Sequence, residues 1–261
     1  MSQTNWKRWG TATASTAAIF LGIVLMLYWG SRFLLPHNYS FREEVATNQV
    51  KLYSLIVRPE NIRLQAADRP LGEYRLYGIN GGFFYQEAIL SIAVNNDIPV
   101  SGKPGTYGSG WFNAKYARGT LVWDAAVHRF SVQVVSSASE LTVTDRRSYF
   151  AQGGVSMNLQ NDAGWRAAVE AEHLPSPDEA RLRSGLVFDD TGRLHLIVTP
   201  TRCTAEEFRS AIKKAAAPGS VMDGIFLDGD GSAQMNAAEV KLYGDSRDLR
   251  QIIVIRNDKS I

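Results

Sequence analysis

Hydrophobic residues fall into two kinds of pattern along this chain, and the change comes at Asn158, after about three fifths of its length. The first part contains short runs rich in β-branched and aromatic residues, the composition typical of strands. These runs read VKLYSLIV, YRLYGIN, ILSIAVN, GTLVWD and FSVQVV. The pattern therefore predicts that this part of the chain is mostly β-sheet.

Helical spacing of apolar residues begins after this point, in GWRAAVEAE, SPDEARL and TAEEFRSAIKKAAAPG. In the second stretch, Ser176 and Glu179 have the spacing of a capping box, and a proline takes the first helical position. In the third, Thr204 and Glu207 form another capping box, apolar residues fall on one face, and Pro-Gly ends the run. The third stretch is predicted to be an amphipathic helix that covers a sheet.

Four further strands are predicted around that helix. SGLVFDD and RLHLIVT precede it, joined by the tight-turn sequence DDTG, and GIFLD and RQIIVIR follow it. A strand, helix and strand in this order allow a crossover, but the meander-like first half argues against a doubly wound parallel sheet. We predict an α+β fold with a mixed, largely antiparallel sheet and covering helices, preceded by one N-terminal transmembrane helix.

The N-terminal segment differs in kind from the rest. Ala12 to Trp29 carries no charge and is rich in Leu, Ile, Val and Ala, and it is about long enough to cross a bilayer. Bulky and aromatic residues stand where a signal peptidase needs small ones, so we expect an uncleaved anchor. Because Lys7 and Arg8 precede the span, the N-terminus is expected to be cytoplasmic and the remainder extracytoplasmic.

These patterns divide the chain into four parts. Residues 1–11 are predicted to form a cytoplasmic tail, and 12–35 the transmembrane anchor. A spacer over 36–48 then leads to a folded extracytoplasmic domain over 49–261. The 261 residues of the chain are enough for one substantial core.

Composition removes several classes of function. The chain is 45% hydrophobic and 21% charged with a formal net charge of +2, so it lacks the basic excess of nucleic-acid-binding proteins, and no nucleic-acid partner is predicted. Its single cysteine, Cys203, excludes an intrachain disulfide and a cysteine-based zinc cluster. Walker A, G-x-G-x-x-G and H-E-x-x-H motifs are missing, and GVSMN departs from the nucleophile elbow at its last position.

The run DGIFLDGDGSAQM partly matches a calcium loop. Asp228, Asp230, Ser232 and Glu239 stand at positions one, three, five and twelve of the EF-hand pattern. Position six is Ala233 instead of glycine, however, and GIFL resembles a strand rather than an entering helix. We predict no metal site and no certain cofactor. A divalent cation such as calcium stays open beside the simpler interpretation, a Gly-rich turn after a strand.

Two other loops also combine paired glycines with polar residues. YGINGGFF and YFAQGGVSMN each follow a strand, and a hairpin turn explains such a sequence by itself. Consecutive glycines also let backbone N–H groups approach a ligand closely. The candidate binding residues in the two loops are Asn80, Gly81, Gly82, Gly153, Gly154 and Ser156.

Read in order, the segments INGGFF, RLRSGLVFDDTGRLHLIV, TAEEFRSAI and GIFLDGDGSAQM resemble the phosphodiester glycosidase family, which includes N-acetylglucosamine-1-phosphodiester alpha-N-acetylglucosaminidase domains. The similarity runs from about Leu52 to Met235 and is greatest to a membrane-anchored bacterial branch. The family commonly has Leu-Asp-Gly-Gly-Gly-Ser at the last motif. In this chain Asp230 replaces the middle glycine.

The resemblance implies a function and a set of site residues. It implies a membrane-anchored extracytoplasmic hydrolase that cleaves the glycosidic bond of a sugar-1-phosphodiester in a surface glycan or exopolysaccharide. Asp228 is then the nucleophile or general base, and Asp230 is a second catalytic candidate that could instead hold a cation. The implied substrate-binding residues are Asn80, Gly81, Gly82, Gly153, Gly154, Ser156, Arg181, Arg183, Gly229, Gly231 and Ser232.

A function from another class stays open. A membrane-anchored, non-catalytic carbohydrate-binding or assembly factor of exopolysaccharide biosynthesis or export would keep the fold without the chemistry. The partners expected under both hypotheses are a glycan and, through the N-terminal helix, the membrane.

Overall fold

The computed structural model describes residues 19–26, 37–216 and 220–256. The chain separates into two units, Met1–His37 and Asn38–Ile261. In the first unit, residues 19–26 lie in helix α1 and expose their side chains. None of the helices in these described ranges is long and apolar enough to cross a bilayer. The predicted tail and most of the predicted anchor lie outside the described residues.

The second unit is built mainly of short strands. Its helices within the described ranges are α2 (Trp165–Ala171) and α3 (Ala205–Ala215), and single 3₁₀ turns lie at Pro59–Asn61, Leu71–Glu73, Ala138–Glu140 and Asp230–Ser232. The strands are β1 (Tyr39–Val45), β2 (Lys51–Val57), β3 (Ile62–Ala66), β4 (Tyr77–Asn80), β5 (Phe84–Tyr85), β6 (Ala88–Ile89), β7 (Ala93–Asn95), β8 (Ile98–Pro99), β9 (Arg118–Asp124), β10 (Arg129–Val135), β11 (Tyr149–Gly153), β12 (Val155–Ser156), β13 (Arg181–Asp189), β14 (Leu194–Cys203), β15 (Val221–Phe226), β16 (Met235–Asn236), β17 (Lys241–Leu242) and β18 (Gln251–Ile255).

These strands form three sheets and a separate hairpin. The largest sheet has the order β1-β2-β14-β13-β15-β12, and the other two have the orders β10-β9-β11-β7-β8 and β17-β16-β4-β18-β3. Neighbouring strands in all of them run antiparallel, and β5 pairs with β6. The prediction of a largely antiparallel α+β fold is confirmed.

One apolar core joins the three sheets. It includes Leu186 from the six-stranded sheet, Leu121 from the second sheet and Ile253 from the third, each fully buried. Helix α3 covers the opposite face of the six-stranded sheet, where Phe208 packs close to Phe226. The predicted apolar face of α3 is therefore the face that packs on the sheet, and the buried side also includes Arg209.

The capping box of α3 forms as predicted. The Thr204 hydroxyl accepts a hydrogen bond from the Glu207 N–H at 3.2 Å, and the Glu207 carboxylate accepts one from the Thr204 N–H at 2.8 Å. Each bond satisfies a backbone donor that the first helical turn leaves without a partner. This local signal needs no tertiary contact, which is why the sequence alone located the helix.

Two stretches differ from the sequence-based prediction. SPDEARL does not form a helix, because Ser176 has a left-handed φ of 46° and strand β13 already begins at Arg181. The Ser176 and Glu179 side chains still bond to each other at 3.0 Å, but within a turn. The region 36–48, predicted as a spacer, contains β1, which pairs with β2 at the edge of the largest sheet.

Candidate active site

Asp228 lies just beyond the end of a central strand. Strand β15 pairs with both β13 and β12, and the next residue, Leu227, donates its N–H to the Ser184 carbonyl at 2.9 Å. The Asp228 carbonyl then accepts hydrogen bonds from Asn80 Nδ2 at 2.8 Å and from Ser184 Oγ at 2.7 Å. Its own N–H donates to the Gly81 carbonyl at 3.3 Å. Hydrogen bonds thus fix both the N–H and the carbonyl of Asp228.

A pocket of about 240 Å³ opens above Asp228. Its charged wall consists of Arg181, Arg183, Asp228, Asp230 and Arg247. Its apolar wall consists of Phe83, Leu174, Pro175 and Leu227. A small pocket with an apolar side and several converging charges is the usual form of a site for a polar small molecule.

The Asp228 carboxyl in this pocket has a strongly perturbed acidity. Burial raises its pKa to about 6, although the neighbouring Ser232 hydroxyl and the positive charge of Arg247 act in the opposite direction. The side chain keeps part of its surface open to the pocket while protein atoms enclose the rest. A carboxyl that changes protonation state near neutral pH suits proton transfer.

Ser232 stands behind this carboxyl. Its side chain is fully buried, and Oγ has no hydrogen-bond partner of normal geometry among the residues that the structure describes. It is nevertheless close enough to lower the pKa of Asp228. Because Oγ is closed to solvent, the hydroxyl is placed to act on the carboxylate rather than to contact a ligand directly.

Arg183 is a buried cation with no carboxylate partner among the described residues. Its guanidinium donates to the main-chain carbonyls of Cys203, Ser176 and Glu179 at 3.2, 2.6 and 2.8 Å, and to that of Pro175 at 3.5 Å. Burial lowers its pKa, but the group stays charged, as arginine does in proteins. Within the described part of the chain, no carboxylate pairs directly with this positive charge in the pocket wall.

The other arginines at the pocket are paired. Arg181 contacts Asp230 at 2.7 Å and Glu179 at 2.7 Å. Arg247 contacts Asp245 at 2.5 Å. These are partly exposed pairs, so each contributes little to stability. Their carboxylate partners offset part of the positive charge that they present to the pocket.

The structure brings together some of the sequence-predicted site residues. Asp228, Gly229, Asp230, Arg181 and Arg183 line one pocket. Gly231 and Ser232 lie buried in the turn beneath it. A Cβ at Gly231 would lie 2.1 Å from Asp245 Oδ2, so this glycine permits close packing of the chain.

Within the INGGFF segment, Phe83 lines the pocket, whereas the predicted binding residues Asn80, Gly81 and Gly82 support the site without lining it. Asn80 is buried, and its amide oxygen accepts from the Gln234 N–H at 3.2 Å while its amide nitrogen bonds within the protein. The Gly81 and Gly82 N–H groups donate to the backbone and side-chain oxygens of Gln251 at 2.9 and 2.8 Å. Their bonding capacity is used inside the protein.

The third predicted loop is also outside the pocket. Gly153 and Gly154 donate their N–H groups to the carbonyls of Ile92 and Gly119. The Ser156 N–H donates to the buried Glu172 carboxylate at 2.7 Å. The glycines are needed here because backbones approach closely, not because a ligand does.

Gly154→Ala is expected to reduce the free energy of unfolding by about 3 kcal/mol, because the new Cβ would lie 2.1 Å from the Phe226 carbonyl oxygen in a paired strand. Urea denaturation measures this loss. Gly164→Ala is the matched control, since the three atoms nearest its Cβ all belong to the exposed Asn161 side chain, which can turn away with the loss of one exposed hydrogen bond. Equal midpoints for the two variants would contradict this explanation.

The calcium-loop alternative finds no support in the geometry. The Asp228–Ser232 stretch follows a strand, and Glu239, the twelfth position of the pattern, bonds to the Tyr39 hydroxyl at 2.9 Å. Throughout the described part of the chain, no group of three or more His, Cys, Asp and Glu side chains is arranged to hold a metal ion. Asp230 faces arginines instead.

Sequence reasoning missed two arginines that complete the charge pattern. Arg247 lines the pocket, and Arg202 lies 3.6 Å from Asp230. Neither belongs to a motif, and the distance along the chain from Asp230 gives no local signal. Leu174 and Pro175 were missed for the same reason.

Comparison with known proteins gives a fold relationship. No protein-family model matches the chain, and no curated protein sequence matches it. The catalytic domain of zebrafish N-acetylglucosamine-1-phosphodiester alpha-N-acetylglucosaminidase, auto-inhibited by its pro-peptide, is similar over 84% of this chain and 82% of that one, with 14% identity and a TM-score of 0.59. A hypothetical protein from Synechocystis aligns over 84% of this chain and 62% of that one, with 14% identity and a TM-score of 0.47. The zebrafish comparison shows that this chain shares its fold with a hydrolase domain.

Proposed function

We propose that this protein is a hydrolase that cleaves the glycosidic bond of a sugar-1-phosphodiester in a surface glycan. The observation that carries the proposal is the Asp228 carboxyl, whose pKa burial raises to about 6, on the wall of an arginine-lined pocket. The zebrafish domain with the same fold is named for an activity of this class. We further propose that the uncharged stretch Ala12 to Trp29 anchors the enzyme with its folded unit outside the cytoplasm.

The chemistry needs only one carboxylate of this kind. Breaking the bond between the anomeric carbon and a phosphate oxygen passes through an oxocarbenium-like state. The departing phosphate is stabilised as an anion and requires little protonation. In its ionised form Asp228 would activate a water molecule or attack the anomeric carbon itself. Asp230 is less suited to this role, because its carboxylate is bound to Arg181 and close to Arg202.

The arginines fit the leaving group. Arg183 offers a buried positive charge that no described carboxylate contacts directly, and Arg247 adds a second cation whose field already reaches Asp228. Positive charge placed where negative charge develops lowers the barrier more in a partly buried site than in water. The apolar side chains of Phe83 and Leu174 would face the sugar ring.

The purified full-length chain, kept in detergent micelles, is expected to hydrolyse synthetic methyl phosphodiesters of α-linked sugars. In H₂¹⁸O, the label should enter the sugar and leave methyl phosphate unlabelled, which ³¹P NMR and mass spectrometry detect. Label in the phosphate would indicate a phosphodiesterase instead. Binding of these compounds without turnover, across a broad sugar panel, would contradict the proposal and favour a carbohydrate-binding factor.

A further inference from the structure

Asp230 places a negative charge at the pocket, and its backbone has a conformation that is unusual for a residue other than glycine. Its φ is 51°, in the left-handed region that glycine adopts most readily. Its side chain is 37% exposed and lines the same pocket as Asp228. The carboxylate is therefore within reach of a bound ligand.

Two arginines hold this carboxylate. Arg181 Nη1 donates to Asp230 Oδ2 at 2.7 Å, and Arg202 Nη2 lies 3.6 Å from Oδ1. These are the contacts that a phosphate would make with the same guanidinium groups. Asp230 thus reduces the positive charge that Arg181 and Arg202 present to a ligand.

The charges around the pocket nearly balance. Within the described ranges, the groups that line it or pair with its lining residues are four cations, Arg181, Arg183, Arg202 and Arg247, and four acids, Glu179, Asp228, Asp230 and Asp245. With Asp228 protonated the sum is +1, and with Asp228 ionised it is zero. A ligand with one negative charge suits this balance, and a ligand with two does not.

The proposed reaction changes the charge of the phosphate from one to two. A water oxygen bonds to the anomeric carbon as the bond from that carbon to the phosphate oxygen breaks, and the electron pair stays on the phosphate. One water proton remains on the sugar hydroxyl, and the other passes through Asp228 to the phosphate or to solvent. The diester carries one charge, whereas the monoester product carries nearly two above its second pKa of about 6.

We propose that Asp230 makes the pocket select phosphodiester monoanions over phosphomonoester dianions, so that the substrate is admitted and the phosphomonoester product is repelled. The inference rests on the proposed function for its substrate. The charge selection itself can be measured by binding, without turnover.

Calorimetric titration of the full-length chain with methyl phosphate and with dimethyl phosphate tests this inference. Asp230→Asn keeps the side-chain size and tolerates the left-handed backbone. At pH 8 the variant is expected to bind methyl phosphate about tenfold more tightly than wild type does, with a change of less than about threefold for dimethyl phosphate. At pH 5, where methyl phosphate carries one charge, the difference between the two ligands should largely disappear.

Glu179→Gln is the matched control. Glu179 also binds Arg181, at 2.7 Å, but it does not line the pocket. A smaller gain in methyl phosphate affinity than in Asp230→Asn supports the inference. Equal gains in both variants, or a gain in Asp230→Asn that is no larger for methyl phosphate than for dimethyl phosphate, would overturn it. If wild type binds these ligands selectively but hydrolyses no sugar phosphodiester, the proposed function fails while the charge selection stands.

Discussion

Asp228→Asn is expected to lower kcat for a sugar-1-phosphodiester by about 10³-fold, because an amide can neither accept a proton at neutral pH nor attack the anomeric carbon. Initial rates from the NMR assay measure the loss. For wild type, activity should rise with pH and level off above about 6, since burial raises the pKa of Asp228 to about 6 and the ionised form is the active one.

The same substitution is expected to stabilise the protein at high pH. A carboxyl whose pKa is higher in the folded than in the unfolded state binds more protons when folded, so its ionisation costs stability as pH rises from about 4 through about 6. Asp228→Asn removes that cost. We expect a gain of about 2 kcal/mol at pH 8 and almost none at pH 4, measured by urea denaturation.

Asp245→Asn is the control for both measurements. This acid also lies near the pocket, but Arg247 lowers its pKa, so the ionised form stabilises the fold at neutral pH. Its removal should leave kcat within a few-fold of wild type and slightly reduce stability at pH 8. An active Asp228→Asn variant, or one destabilised at pH 8, would show that the Asp228 carboxyl is an ordinary structural group.

Asn80→Asp is expected to cost about 3 kcal/mol of stability at pH 7, although the two side chains have nearly the same shape. The amide nitrogen donates to the carbonyls of Gly81 and Asp228 and lies 3.0 Å from Ser184 Oγ. A carboxylate would face these oxygens without a proton to share. Thermal unfolding over a pH series measures the loss, which should shrink as the new carboxyl becomes protonated.

Asn48→Asp is the matched control for that substitution. Asn48 is exposed and donates to the Glu207 carbonyl at 3.0 Å. Loss of this contact should change stability by less than about 1 kcal/mol. If Asn80→Asp were equally mild, Asn80 would be a ligand-facing residue and not the support of the Asp228 backbone.

Local signals in the sequence predicted the parts of the fold that depend on neighbouring residues. The Thr204 and Glu207 pair located α3, and the apolar run GIFLD located β15 and, with it, the position of Asp228. Strand β1 was missed because YSFREEV has the polar composition of an edge strand, with only one partner. Its pairing depends on β2 and is not encoded in its own composition.

Long-range contacts decided the remaining features. The turn at Ser176 competes with a helix and is favoured because Arg183 bonds to its carbonyls from the neighbouring strand. The sequences of the Gly-Gly loops are typical of loops whose backbone contacts a ligand. In the structure, however, their glycines pack against other parts of the protein, as Gly154 does against the backbone of Phe226. Arg247 joins the pocket only through the tertiary fold. The sequence could therefore indicate Asp228 but not the charge balance around it.

The hydrogen bonds by which Arg183 holds the pocket wall determine which residues of that wall can be substituted. Its hydrogen bonds to Pro175, Ser176 and Glu179 all end on main-chain carbonyls. Every amino acid offers that carbonyl, so the side chains of this loop can be exchanged while the guanidinium keeps the loop in place. The shape of this side of the pocket can thus change through residues 174–180 with Asp228 and its supports unchanged.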